Sequence, residues 1–139
     1  MAKHLNVTYQ TEPSLTADEF IALLEASTLG ERRPVSNRKC IEGMLAHADL
    51  TVTARRGPQI VGVSRSVTDF HYCCYLSDLA VDTQFQKQGI GAALVRETRV
   101  RLESTCRLLL LSGPAAVDYY PKIGFQRHPE AWTIPPTGR

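Results

Sequence analysis

Gln86-Lys87-Gln88-Gly89-Ile90-Gly91 stands between a long, largely apolar run from Tyr72 to Val81 and a stretch of helical periodicity that begins at Gly89. The run is aromatic and largely apolar, as expected of a central strand buried on both faces. After the glycines, Ile90, Leu94, Val95, Thr98 and Leu102 fall within an arc of about 140°, with Val100 off it, so the helix packs one side on a sheet. Two glycines alone decide nothing, because a G-x-G occurs by chance in a chain of this size. Their place at a strand-to-helix turn does. First-turn N–H groups have no intrahelical acceptors and point outward with the positive end of the helix dipole, where a diphosphate can be held. Glycine keeps a Cβ out of the approach.

Upstream, Thr16-Ala17-Asp18-Glu19 has the form of a capping box, and Phe20, Leu23 and Leu24 follow on one helical face. A helix is predicted over about 16–28, with Gly30 as its stop and Pro34 holding the next segment out of helical geometry. Ser36 is read as the cap of a second helix carrying Ile41, Met44 and Leu45, which ends near His47 to Asp49. Leu50, Val52 and Ala54 then alternate with polar residues, Arg56-Gly57-Pro58 punctuates, and Ile60 to Ser66 continues in strand character, which predicts a hairpin.

Downstream, Arg107 to Leu111 is an apolar strand broken by Ser112-Gly113-Pro114. Ala115 to Tyr120 suits a short helix, and Ile123 to Gln126 returns to strand. The tail containing Pro129, Pro135 and Pro136 has no period. The order of elements predicts a mixed α/β fold, with a central, mostly antiparallel sheet flanked by helices, rather than a doubly wound parallel one.

Known phosphate turns narrow the choice. A dinucleotide fold requires G-x-G-x-x-G and a P-loop requires G-K-[ST], and neither pattern is present. Gln-x-x-Gly-x-Gly after Tyr75-Leu76-Ser77-Asp78-Leu79-Ala80-Val81-Asp82 instead resembles the acetyl-coenzyme A motif of the GCN5-related N-acetyltransferases (GNAT). Tyr119-Tyr120-Pro121-Lys122-Ile123-Gly124-Phe125 resembles the family's second motif, in the same order along the chain. Together they anchor the resemblance from about 75 to 126, while the N-terminal helices and hairpin match its order of elements without a specific motif.

The resemblance implies the GNAT fold and an acetyl-coenzyme A-dependent N-acetyltransferase acting on a small-molecule or peptide amine. It implies that Leu79, Ala80 and Val81 meet the pantetheine arm and acetyl carbonyl through their backbone, and that Gln86, Lys87, Gln88, Gly89, Ile90, Gly91 and Ala92 hold the pyrophosphate. Tyr120 matches the tyrosine that protonates the departing thiolate. Aminolysis of a thioester needs a neutral amine, stabilisation of an oxyanion and a proton for sulfur, and a tyrosine remains a proton donor at pH 7. Pro121 departs from a regular helix, so the helix is expected to kink or end near Tyr120, with Tyr119 the fallback donor. A homodimer would be common in such a family, and no motif here specifies one.

Other candidates have ordinary explanations beside functional ones. Asp78 interrupts an apolar strand, where a carboxylate must be paired, hydrated or functional; it is both a candidate to accept the amine's proton through water and a candidate structural ion-pair partner. Glu31, Asp69 and His71 are candidates for the acceptor site, although acids in loops are usually just solvated. The pairs Arg32-Arg33, Arg38-Lys39 and Arg55-Arg56 could meet an acidic acceptor or a cofactor phosphate, and more ordinarily form solvated faces.

The 139 residues fit one domain spanning 1–139, with 16 Lys+Arg against 14 Asp+Glu leaving +2. That charge is too small for a protein built to neutralise a nucleic-acid backbone. Four cysteines, at 40, 73, 74 and 106, make no C-x-x-C pair, so no metal is expected and the thiols suit a reducing cytoplasm. No apolar stretch reaches the length of a membrane span, and no membrane partner is expected. The rival to an enzyme is a non-catalytic acetyl-coenzyme A-binding regulatory module, in which the same turn holds the ligand and no acceptor reacts.

Overall fold

The strand β4 (Cys73–Val81) organises the molecule, which is described here by a computed structural model over residues 6–138. Ahead of it in the chain come β1 (Val7–Thr11), α1 (Ala17–Ala26), α2 (Arg38–Ala46), β2 (Leu50–Arg56) and β3 (Gln59–Thr68). After it come α3 (Ile90–Arg99) and β5 (Arg107–Leu109). The sheet runs β1-β2-β3-β4-β5; every pairing is antiparallel except β4 with β5, which is parallel. This is the mixed, mostly antiparallel sheet expected from the order of elements. Among the described residues no helix is long and apolar enough to cross a membrane.

The two faces of the sheet carry separate cores. Phe20, Leu23 and Leu24 of α1 and Ile41 of α2 pack with Val63 and Ala80 on one face. Ile90 and Leu94 of α3 pack with Val52, Ala54 and Val61 on the other, as the helical arc predicts. Contact there is close: a Cβ on Gly62 would lie 3.0 Å from Leu94 Cδ1 and 3.1 Å from Ile90 Cγ2. Thr98 joins the helix to β3 through its hydroxyl, 2.7 Å from that of Ser64.

Local details depart from the sequence reading for identifiable reasons. Thr16 caps α1 by accepting from the Glu19 N–H, but the Glu19 carboxylate turns to Arg55 instead of closing the capping box. Ser27 ends the helix, and Gly30 falls inside a 3-10 turn, Thr28–Arg32, where a Cβ would come within 2.5 Å of the Leu24 carbonyl oxygen. Asn37, not Ser36, caps α2, accepting from the Cys40 N–H at 3.1 Å. β1 was not foreseen: its five residues alternate weakly and are held by pairing with β2 and by Glu12 on Arg55.

Corrections are larger after β5. Only Arg107–Leu109 of the expected 107–111 strand pairs. The expected helix over 115–120 is replaced by two 3-10 turns, Pro114–Ala116 and Tyr120–Ile123, and 123–126 forms no strand. Pro121 sits in the first turn of the second, where its missing N–H leaves no bond unmade.

Candidate active site

Two irregularities in β4 open the site. β4 pairs with β5 only over Cys73, Cys74 and Tyr75, so from Leu76 to Val81 its outer edge has no strand beside it. At the same place the register with β3 shifts, Arg65 opposing Asp78 and Ser66 opposing Leu76, which leaves Ser77 as a bulge. The carbonyls of Ser77 and Val81 face the open edge, where side chains meet them: Arg33 Nη2 donates to Ser77 O at 2.6 Å and Gln86 Nε2 donates to Val81 O at 3.0 Å. Asp82 N–H turns the other way, to Val61 O. By strand alternation the N–H of Leu79 also faces the gap, and among the described residues nothing pairs with it there.

The turn expected to hold a diphosphate is built at the end of β4. Asp82 caps a short 3-10 turn by accepting from the Gln84 N–H, and buried Phe85 anchors it to the core beneath α3. Lys87 and Gly89 both take positive φ, 64° and 84°, which brings the chain sharply into α3. No side chain caps this helix, and among the described residues the N–H groups of Gly89, Ile90, Gly91 and Ala92 meet no acceptor. Nothing lies within 4 Å of a Cβ built on Gly89, and Lys87 and Gln88 are exposed beside it. Open donors, a bare glycine approach and a neighbouring cation fit a diphosphate. Ile90 is buried and holds the turn in place, and Ala80, also buried, belongs to the α1 face of the sheet.

Tyr119 and Tyr120 stand across from this turn with their rings edge to face, centroids 5.3 Å apart. A Cβ on Gly91 would lie 2.5 Å from the Tyr119 hydroxyl, so the glycine is what lets that hydroxyl rest on the first turn of α3. Tyr120 is more enclosed and also packs edge to face on Phe125. Burial pushes its hydroxyl above the usual tyrosine value, the neighbouring Tyr119 adds to that, and the Arg33 charge pulls it partly back. Burial likewise raises Tyr119.

Asp78 is fully buried, and two guanidiniums close around it. Arg33 Nε donates to Oδ1 at 2.5 Å and Arg65 Nε donates to Oδ2. Arg65 also reaches Met44 O and Ser77 Oγ, at 3.1 Å each. This geometry fits the structural of the two roles weighed for Asp78. Arg33 is therefore no solvated surface residue, as the ordinary reading of Arg32-Arg33 had it. The sequence could not show this, since its partner lies forty-five positions away.

Asp69 and His71 are not brought to this opening. They lie before the start of β4, and roughly 26 Å of strand separates them from the phosphate turn. Asp69 Oδ1 instead accepts from the N–H groups of His71, Tyr72 and Cys73, which hold its carboxyl below the ordinary value and brace the loop. Glu31 lies exposed in the 3-10 turn between α1 and α2 that also carries Arg32. The four cysteines are free thiols, with Cys73 exposed and Cys74 buried as neighbours on a strand should be.

Residues 25–132 match the family described as acetyltransferase (GNAT) domain. The chain belongs to the GNAT family. It is 31% identical over 74 residues to the GCN5-related N-acetyltransferase 2, chloroplastic, of Arabidopsis thaliana, an alignment covering 52% of this chain and 29% of that protein. It is 26% identical over 102 residues to an N-acetyltransferase of Gracilaria tenuistipitata var. liui, covering 71% and 56%. The match thus spans between about a third and a little over half of these GNAT relatives. A GNAT-family acetyltransferase of Streptococcus pneumoniae superposes with a TM-score of 0.74 at 22% identity, covering 92% of this chain and 98% of that one, a likeness that establishes the GNAT fold.

Proposed function

We propose that this chain transfers an acetyl group from acetyl-coenzyme A to a primary amine by direct attack in a ternary complex, with Tyr120 as the general acid. The observation that supports the reading is the open edge of β4 running into the uncapped α3 N–H groups, with Tyr119 resting on Gly91 and Tyr120, its hydroxyl pushed up by burial, packed against Tyr119. Acetyl-coenzyme A supplies an acyl group activated as a thioester. The N–H groups of Gly89 to Ala92, with Lys87, would hold its diphosphate. Leu79 N–H would donate to the acyl oxygen where negative charge develops, and Tyr120 would give a proton to the departing sulfur. With Asp78 enclosed by arginines, the amine's proton leaves to water at the open edge of β4.

The acceptor in this reading is a small-molecule or peptide amine, and the four free thiols suit a reducing, cytoplasmic setting. The test is calorimetric titration with acetyl-coenzyme A, followed by thiol release across a panel of amines. Tyr120→Phe should retain binding and lose on the order of 10²-fold to 10⁴-fold in kcat. Binding without thiol release from any amine would favour the regulatory module. Binding unaffected by a bulky residue at position 89 would overturn the assignment of the turn.

A further inference from the structure

The 3-10 turn Thr28–Arg32 and the residue after it place a guanidinium on each lip of the gap. Arg33 lies on the β4 lip, where it holds Ser77 O and Asp78. Arg32 lies on the other lip, beyond the end of β5: its Nη1 is 3.0 Å, and its Cδ and Cζ 3.5 Å, from where a Cβ on Gly113 would be. The Arg32 carbonyl accepts from Arg33 Nη1 at 2.9 Å, which braces the backbone from which one side chain reaches Ser77 and the other Gly113. Tyr120 lies within reach of the Arg33 charge.

The two arginines differ in what they have left to offer. Arg33 is committed through each of its three nitrogens, to Asp78, Arg32 O and Ser77 O, and with Arg65 it leaves the buried cluster one positive charge in excess. Arg32 is exposed, and among the described residues it makes no ion pair. A free planar fork of donors, backed by a second uncompensated charge, recognises carboxylate or phosphate oxygens. Glu31 is the opposing charge on the same turn and is exposed.

We propose that the acceptor is an amine that also carries an anionic group, a carboxylate or a phosphate, which Arg32 binds at the lip opposite β4 while the amine points into the gap. The inference rests on the transferase reading and narrows its substrate class. A polyamine or other polycation is disfavoured by the same charges, because like charge at a partly enclosed site costs affinity.

Matched amine pairs test it: an amino acid against its amide, and phosphoethanolamine against ethanolamine, each assayed by thiol release. In at least one pair the anionic member should be preferred by about tenfold or more in kcat/KM. Arg32→Gln should remove that preference through KM, leaving kcat and acetyl-coenzyme A binding near wild type. Gly113→Val, which displaces the guanidinium without removing it, should weaken the same KM. Equal turnover of both members of every pair would overturn the inference, as would a preference for a diamine that Glu31→Gln abolishes. If no amine turns over, titration of an N-acetyl amino acid into the coenzyme A-loaded protein decides. Binding lost in Arg32→Gln upholds the anion site while the transferase reading falls, and no binding overturns the site as well.

Discussion

Arg33 Nε donates to Asp78 Oδ1 at 2.5 Å, joining the segment after the first helix to the middle of the central strand across forty-five residues. The contact closes a carboxylate between two guanidiniums and fixes the β4 lip of the site in the same act.

Removing one member of such a cluster leaves buried charge unmatched. Asp78→Asn should destabilise the protein by about 3–5 kcal/mol, measured by urea unfolding, because Arg33 and Arg65 are left facing each other. A carboxylate acting only as a proton acceptor would lower kcat and leave the unfolding midpoint where it was.

Tyr120 should titrate above the usual tyrosine value of 10.0, since burial outweighs the pull of Arg33. With the folded value raised, the hydroxyl stays protonated through neutral pH, and its stabilising share is lost only as pH rises through the folded value. Spectrophotometric titration of tyrosinate in wild type and Tyr120→Phe should differ by one late-titrating group. Arg33→Met should move that group later still, and it leaves Arg65 and Asp78 as a neutral pair.

Gly91 and Tyr119 should be energetically coupled. Alanine within a helix is favoured over glycine by about 1 kcal/mol. At position 91 its Cβ would meet the Tyr119 hydroxyl at 2.5 Å, whereas the ring carbon behind it is 3.5 Å away. Gly91→Ala should therefore gain little or lose stability alone, and show the full gain in a Tyr119→Phe background. A double-mutant cycle by urea unfolding reads the difference.

Glu12 is held down to about 2, chiefly by its bonds to Arg55, against burial that raises it. A carboxylate with a depressed folded value contributes stability above its unfolded value, near 4.5 here, and loses it as pH falls through the folded one. Acid unfolding should thus steepen between about 4.5 and 2 in wild type. Glu12→Gln should be less stable at pH 7 by about 1–3 kcal/mol and flatter across that acid window.

The turn between β4 and α3 was legible because it is local: strand, polar turn, two glycines and an amphipathic helix occupy one continuous stretch, and each residue's conformation follows from its neighbours. The two sheet faces were legible for the same reason, since periodicity reports which side of an element is apolar. The region after β5 was not. Its apolar residues fit a helix and a strand by pattern, but Pro114 and Pro121 start 3-10 turns, and 123–126 finds no strand to pair with.

By itself the sequence determined the mixed α/β architecture, the glycine turn that leads into α3 and the candidate tyrosine, all set by short-range spacing and backbone chemistry. Only the tertiary structure decided where β4 loses its neighbour, which carboxylate is enclosed, and that Arg32 and Arg33 reach opposite lips of one gap. Those facts depend on groups from separate elements meeting in space. A charge reads the same in sequence whether its partner is water or a buried ion, and burial alone separates the two.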